Sequence, residues 1–175
     1  MIGIEFRPFT HADLPLLAQW LDAPHVARWW PRADTSTEAL VARYGPSIDG
    51  ADPTKHFLIT VDGEPTGFGE TYLHADEPDW DRTVGLPNVA GIDYLIGRPE
   101  ECGRGLGTRI VGAFCDLVFN LYPGIAGIAS VPQAANPASR RVLEKNGFRL
   151  VDVRMVESDD PGDAGLAAIY LLPRA

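Results

Sequence analysis

Cysteine and long apolar segments are both scarce in this chain, and each scarcity excludes a class of protein. Among 175 residues only Cys102 and Cys115 are cysteines, so we expect neither a disulfide framework nor a zinc site of the CxxC type. The four histidines are scattered without metal-ligand spacing, and no metal is expected. No apolar run approaches the ~20 residues of a membrane span, and no basic N-terminal stretch precedes an apolar one. These features indicate a globular protein of the cytoplasm.

Basic residues are also in short supply. The chain has 15 Lys and Arg against 24 Asp and Glu, a net charge of −9. Nucleic-acid binding needs a basic surface, so no nucleic acid and no membrane is expected as a partner. The acidic excess is compatible with a small cationic substrate drawn toward an acidic cleft, although acidity also serves solubility alone. The oligomeric state stays open between monomer and homodimer.

Length and apolar patterning predict one α/β domain over residues 1–175, with a central, mainly antiparallel sheet flanked by helices. Helices are predicted near residues 10–22, 25–30, 35–44, 110–119 and 136–146, and strands near residues 2–7, 57–61, 66–72, 90–96 and 125–130, with two more closing the chain. Leu14, Leu17, Trp20 and Leu21 share one face of the first helix. Gly45-Pro46 is expected to end the third helix, and residues 74–88 are interpreted as a long functional loop.

A glycine-rich turn, residues 102–108, lies between a predicted strand and a predicted helix. Gly103, Gly105 and Gly107 let the backbone approach a ligand closely, and free amides at a helix start bind anions. A dinucleotide fingerprint would need glycine where Thr108 stands, and no Walker-type run is present. The turn therefore predicts a phosphate or pyrophosphate site of a third kind.

A second motif, residues 136–148, follows about thirty residues downstream. Asn136-Pro137 favours a helix start and Gly147 a helix stop. The two motifs resemble the signatures of the GCN5-related N-acetyltransferases, R/Q-x-x-G-x-G/A and N-x-x-A/S-x-x-x-Y-x-K-x-G-F, with Cys102 replacing the usual Arg or Gln. The resemblance implies that acetyl-CoA is the co-substrate. Its pyrophosphate would lie on the turn and its pantetheine arm beside Asn136.

Further landmarks resemble one branch of that superfamily, the aminoglycoside 6′-N-acetyltransferases, with the siderophore-type lysine acyltransferases as neighbours. They come in order over nearly the whole chain: Trp29-Trp30, Tyr44-Gly45-Pro46-Ser47, Asp62-Gly63-Glu64-Pro65-Thr66-Gly67, Gly91-Ile92-Asp93 and the glycine turn. The resemblance implies an antibiotic-resistance enzyme that acetylates a 6′-amine by direct transfer in a ternary complex.

Asp93 is the predicted catalytic residue. A carboxylate in an apolar strand is costly unless it has a task or a partner, and the resemblance assigns the strand aspartate to the substrate amine. A backbone amide of the strand from Asp93 to Ile96 is expected to hold the thioester oxygen. The predicted cofactor-binding residues are Leu95, Ile96, Gly103, Arg104, Gly105, Leu106, Gly107, Thr108, Asn136 and Ser139. The predicted substrate-binding residues are Trp29, Trp30, Tyr44, Asp79, Trp80 and Asp163.

Two positions depart from the family pattern. Leu143 stands where the family has a tyrosine that protonates the departing CoA, and Val131 stands where it has a substrate-binding acid. His74 is an alternative base. The alternative acceptors are a siderophore precursor, a lysine-like amine and a protein N-terminus. An alternative function for the chain is an acyl-CoA sensor without turnover.

Overall fold

A seven-stranded sheet dominates the computed structural model, which describes residues 1–175. Its strands are β1 (Ile4–Pro8), β2 (Lys55–Val61), β3 (Glu64–Leu73), β4 (Val89–Ile96), β5 (Gly127–Ser130), β6 (Arg149–Val156) and β7 (Gly165–Pro173). Their order across the sheet is β1-β2-β3-β4-β5-β7-β6. β4 and β5 pair in parallel, while β1–β2, β5–β7 and β6–β7 are antiparallel pairs. The predicted α/β class with a mainly antiparallel sheet is confirmed.

Six helices accompany the sheet. They are α1 (Leu14–Asp22), α2 (Pro24–Ala27), α3 (Thr37–Ile48), α4 (Pro78–Val84), α5 (Leu106–Leu121) and α6 (Pro137–Lys145). None of them is both long and apolar enough to cross a membrane.

The chain divides into two compact units. The first comprises Met1–Glu70 and Tyr94–Cys102, and the second comprises Thr71–Asp93 and Gly103–Ala175. The boundary therefore cuts β4 between residues 93 and 94. The assignment of residues 1–175 to a single domain stays a prediction.

The first unit is built around the apolar face of α1. The predicted face, Leu14, Leu17, Trp20 and Leu21, is buried as expected. A single 3₁₀ turn precedes the helix, and the Asp13 carboxylate accepts from the backbone N–H of Thr10 at 2.8 Å. The same core takes in Phe68 from β3, Leu95 from β4 and Tyr44 from α3.

The hairpin of β2 and β3 turns on two residues with left-handed backbone. Asp62 has φ +50° and Gly63 has φ +83°, the pair of positive angles that a tight type I′ hairpin requires. The strands predicted near residues 57–61 and 66–72 are therefore joined by a tight hairpin turn.

Two predictions about helices are wrong. Gly45-Pro46 does not end α3, which continues to Ile48 and stops where Gly50 takes φ +82°. Packing of Leu40, Tyr44 and Gly45 in the interior accompanies the helix past Pro46, although proline removes one backbone hydrogen bond. Residues 74–88 are not a long loop, because they contain a 3₁₀ turn at His74–Asp76 and the helix α4.

In the second unit, β4 and β5 pair in parallel from Val89↔Gly127 to Gly91↔Ala129. The connection between them includes the glycine turn and α5. β6 lies at the end of the sheet order, so one of its two edges has no neighbouring strand. Its ladder with β7 contains an irregularity between Leu150 and Asp152.

Candidate functional site

The glycine turn opens α5 without any side-chain cap. Gly103 has φ +73° and Gly105, the N-cap residue, has φ +82°. A Cβ at either position would meet no atom within 4 Å. The first turn of α5 contains no acidic residue, so nothing on the chain's own helix start competes for a negative ligand. Open space, exposed backbone amides and a 16-residue helix dipole together suit an anion.

Side chains around this turn divide into anchors and exposed groups. Leu106 is 7% exposed and fixes the helix start in the interior, whereas Gly103, Arg104 and Gly105 are exposed. Cys102 is also exposed, and burial of part of its thiol together with Glu100 and Glu101 raises its pKa. A raised thiol pKa disfavours the nucleophilic thiolate.

Asn136 is the N-cap of α6. Its Oδ1 accepts from the backbone N–H of Ser139 at 3.2 Å, and Pro137 occupies the first helical position. The side-chain oxygen is thus engaged in the cap, which leaves the amide nitrogen as the end of Asn136 suited to a ligand's acceptor.

Asn146 ties the two helices of this region together, and sequence reasoning missed it. Its Nδ2 donates to the Thr108 carbonyl at 3.0 Å and to the Val142 carbonyl at 2.9 Å. A Cβ on Gly112 would come within 2.9 Å of Asn146 Oδ1, so glycine permits the close approach of α5 and α6. The signal available in the sequence was an amide residue directly before the stop at Gly147.

Leu143, the position where the resemblance implies a tyrosine, is fully buried at 0% exposure. Its side chain therefore packs the interior of the second unit and offers no hydroxyl. At the position where the resemblance implies a tyrosine, the protein therefore has a buried aliphatic side chain.

Asp93 is half-buried on β4. Hydroxyl groups fix the strand just before it: Thr71 Oγ1 donates to the Gly91 carbonyl at 2.8 Å, and Ser130 Oγ donates to the Ile92 carbonyl at 3.3 Å. A Cβ on Gly91 would approach the Tyr72 ring to 2.5 Å. The segment that carries Asp93 is therefore held from both neighbouring strands.

His74 is fully buried and stacks on Tyr72, with ring centroids 5.7 Å apart and an interplanar angle of 6°. Neither ring nitrogen has a hydrogen-bond partner, and Asp81 Oδ1 lies 4.0 Å from Nδ1, too far for a hydrogen bond. Burial lowers the pKa of His74 to about 4. An inaccessible, weakly basic imidazole is poorly suited to be the base.

The predicted substrate-binding aromatics of the first unit differ in exposure. Trp30 packs on the core, edge-on to Phe68 with centroids 6.1 Å apart, while Trp29 lies under the Arg28 guanidinium at 4.8 Å. Tyr44 is only 2% exposed, and burial raises the pKa of its hydroxyl. The structure places Tyr44 in the core, contrary to the surface position that substrate contact requires.

Leu95 and Ile96 also belong to the first unit. Leu95 is 6% exposed, with its side chain in the core. The Ile96 carbonyl lies 2.9 Å from His25 Nε2. Any contact of Leu95 with a ligand must therefore use its backbone.

A partly buried polar chain in the first unit, Glu70–His56–Ser47, was not predicted from the sequence. His56 Nδ1 lies 3.1 Å from Glu70 Oε2, an ion-pair distance without hydrogen-bond alignment, and Nε2 lies 2.6 Å from Ser47 Oγ. Ser47 Oγ also donates to the Tyr44 carbonyl at 3.0 Å. The chain joins α3, β2 and β3 inside the unit, and no local sequence pattern announces it.

The predicted substrate-binding residues Asp79 and Trp80 line an open cleft of about 450 Å³ in the second unit. Its other lining residues are Glu77, Thr83, Glu157, Ser158 and Asp159. Asp79 forms an exposed ion pair with Arg82, and Trp80 Nε1 is buried without a partner. Asp163, predicted to join them, lies on the β6–β7 connection outside this lining. No group of three His, Cys, Asp or Glu residues is placed to hold a metal.

Residues 10–155 match the family described as acetyltransferase (GNAT) domain. The chain belongs to the GNAT acetyltransferase family, as the two motifs predicted. Within that family it is 31% identical over 149 residues to the aminoglycoside N(6′)-acetyltransferase type 1 of Klebsiella pneumoniae, covering 83% of this chain and 74% of the relative.

Solved structures of aminoglycoside acetyltransferases have a similar fold. Aminoglycoside acetyltransferase AAC(6′)-Ib in complex with coenzyme A and kanamycin has a TM-score of 0.82 and 29% identity, covering 98% of this chain and 95% of that one. Its complex with ribostamycin and coenzyme A has a TM-score of 0.84 and 28% identity, covering 98% and 94%. A further complex of AAC(6′)-Ib contains acetyl-CoA.

Proposed function

We propose that this chain transfers the acetyl group of acetyl-CoA to the 6′-amine of an aminoglycoside, and that it does so in the cytoplasm. The observation that carries the proposal is the uncapped glycine turn at the start of α5, in a chain whose relatives are aminoglycoside N(6′)-acetyltransferases. Its acidic composition suits a cationic acceptor.

The residues present fit acetyl-CoA. Open space at Gly103 and Gly105 leaves room for a pyrophosphate against the backbone amides of residues 103–108. The Asn136 amide nitrogen suits a carbonyl of the pantetheine arm, because its oxygen already caps α6. Leu95 and Ile96 are also proposed to bind the cofactor, through their backbone groups. When bound, acetyl-CoA would supply the acetyl group from its thioester, and CoA would leave as the thiolate.

Asp93 would accept the proton of the substrate ammonium, directly or through water, so that the neutral amine can attack the thioester carbon. A backbone N–H of the strand from Asp93 to Ile96 would donate to the thioester oxygen as negative charge develops on it. The exposed thiol of Cys102 has a raised pKa, which agrees with direct transfer and no acyl-enzyme. Leu143 supplies no acid, so the thiolate leaves unprotonated or takes its proton from water.

Substrate contacts are proposed for Trp29, Trp30, Asp79, Trp80 and Asp163. Trp29, Trp30 and Trp80 are half-buried, and the accessible part of an indole face suits an amino sugar or an ammonium group. The carboxylates around Trp80 line an open cleft, which supports an acidic surface for a polyamine-like substrate.

The test is a thiol-release assay with acetyl-CoA and four acceptors. These are kanamycin, an analogue with a 6′-hydroxyl in place of the 6′-amine, a lysine derivative and a short peptide. We expect turnover of kanamycin alone, because only its 6′-amine provides the nucleophile in the right place. Turnover confined to the lysine derivative or peptide would contradict the substrate proposal. Acetyl-CoA binding without any turnover would indicate a sensor instead.

A further inference from the structure

The free edge of β6 is unusually apolar for a surface strand. Leu150, Val151, Val153 and Met155 are 45%, 51%, 40% and 71% exposed, and Leu166, opposite Met155 on β7, is 53% exposed. Exposed apolar edge strands pair readily with other strands unless something prevents it. This edge belongs wholly to the second unit and lies outside the acetyl-transfer residues described above.

The backbone of β6 offers hydrogen-bonding groups to this edge. On β7, the Ala168 N–H donates to the Pro132 carbonyl, and the Leu166 carbonyl accepts from the Ala134 N–H. Because these groups face away from β6, the residues opposite them, Val153 and Met155, direct their N–H and C=O outward. The Val153 N–H is met there only by the carboxylate of its neighbour Asp152, at 2.8 Å.

Charges on β6 are arranged self-complementarily about Val153. Asp152 precedes it and Arg154 follows it, and within the strand these two side chains already lie 3.0 Å apart. In an antiparallel pair of two β6 strands with Val153 opposite Val153, each Asp152 lies opposite the other strand's Arg154. Directly opposite side chains of unlike charge stabilise a strand pair.

The neighbouring registers are unfavourable. Outward-facing residues must meet outward-facing residues, so the pairing can shift only by whole steps of two residues. A shift in one direction places Asp152 opposite Asp152, and a shift in the other places Arg154 opposite Arg154. Only the register centred on Val153 pairs unlike charges, and it places Met155 opposite the apolar Leu150–Val151 segment where the β6 ladder is irregular.

We propose that two copies of this chain associate through antiparallel pairing of their β6 edges, with a two-fold axis at Val153. The interface is one strand wide and belongs to the small class, so the dimer is weak, with a dissociation constant of about 1–100 μM. The occupant of this edge is a second copy, because the edge matches its own charge pattern.

Cysteine cross-linking tests the axis. In a Cys102→Ser background, Val153→Cys places two thiols across a hydrogen-bonded pair with Cα atoms about 5.5 Å apart, inside disulfide range. The matched control is Met155→Cys, whose two copies would lie about 13 Å apart along the strands. Under mild oxidation we expect a covalent dimer of the Val153→Cys protein only. Equal cross-linking of both variants, or of neither, overturns the proposal.

Charge reversal tests the register by sedimentation. Asp152→Arg makes both charges beside Val153 basic and Arg154→Asp makes both acidic, and each variant replaces two attractive contacts across the strand pair with two repulsive ones. We expect each variant alone to dimerise at least about 30-fold more weakly than the natural chain. A mixture of the two should form the heterodimer at natural strength, a recovery that an intrachain effect cannot produce.

Two results would overturn the charge argument. One is a natural chain that remains monomeric above about 1 mM, well beyond the expected range of the dissociation constant. In that case Asp152 and the irregularity of the β6 ladder would serve only to block pairing at this edge. The other is a mixture no better associated than its components, with both variants shown to be folded by circular dichroism.

Discussion

Replacing Gly105 by alanine separates the glycine turn's structural role from its ligand-binding role. Gly105 has φ +82°, and a Cβ there would meet no atom within 4 Å. The new methyl group therefore causes no steric clash in the free protein. Its cost is the left-handed backbone alone, about 1–2 kcal/mol for an L-residue.

Gly50 supplies a matched control. It also has φ +82° and nothing within 4 Å of a built Cβ, but it follows α3 and has no proposed contact with acetyl-CoA. Gly50→Ala should therefore lower the free energy of unfolding by a similar amount, about 1–2 kcal/mol. Urea unfolding without ligand measures both variants.

The two variants should differ in acetyl-CoA affinity. At Gly105 the methyl group projects into the space proposed for the pyrophosphate, so we expect its dissociation constant to rise at least about tenfold, or about 1.4 kcal/mol. Gly50→Ala should leave the constant unchanged within error. Isothermal calorimetry on the folded proteins decides the matter. Equal acetyl-CoA affinity in the two variants would refute the assignment of the pyrophosphate to this turn.

Substitutions at three further positions test other parts of the molecule. Asp93→Asn should lower kcat/KM at least about 100-fold while acetyl-CoA affinity stays nearly constant, because proton acceptance contributes that much; an undiminished steady-state rate would mean that the base lies elsewhere. Leu143→Ala should cost about 2–5 kcal/mol in urea unfolding, since the side chain is fully buried, whereas Leu143→Met should cost less than about 1.5 kcal/mol; equal losses would argue against tight packing there. Burial lowers the pKa of His74 to about 4 from an ordinary 6.5, so the unfolded chain takes up a proton that the folded chain excludes. The contribution of His74 to the free energy of unfolding is therefore fully present above pH 6.5, and it falls by about 3 kcal/mol as the pH drops to 4. His74→Phe should remove that part of the pH dependence, and an unchanged acid profile would contradict it.

The sequence was most informative where local chemistry decides the structure. The cap formed by Asn136 needs only a few adjacent residues, and the helix start there was predicted. The turn at Asp62-Gly63 is equally local, and it joins two strands that were predicted. α4 was missed although its signals are local too: Pro78 at the first helical position, Asp79 and Asp81 in the first turn, and Gly85 as the left-handed cap. The density of acids and prolines there suggested a loop, but at a helix start those residue types stabilise the helix.

Other features could not be foreseen because distant residues create them. Ser47, His56 and Glu70 come from three different elements. The polar chain that they form exists only once α3 packs on the hairpin. Tyr44 was predicted to bind substrate because residues 44–47 resemble a landmark of the family, yet its side chain is packed in the core of the first unit. At Gly45-Pro46, tertiary packing overrides the local signal for a helix stop.

The parallel pairing of β4 with β5 has a consequence for the order in which the chain folds. A hairpin such as β2–β3 can form as soon as its two-residue turn closes, but parallel strands meet only after the whole intervening segment has been traversed. Here the segment runs from Val89 to Gly127 and includes the glycine turn and α5. We therefore expect the slowest refolding step of the second unit to be the joining of these strands, so that the proposed acetyl-CoA turn acquires its shape only late in folding.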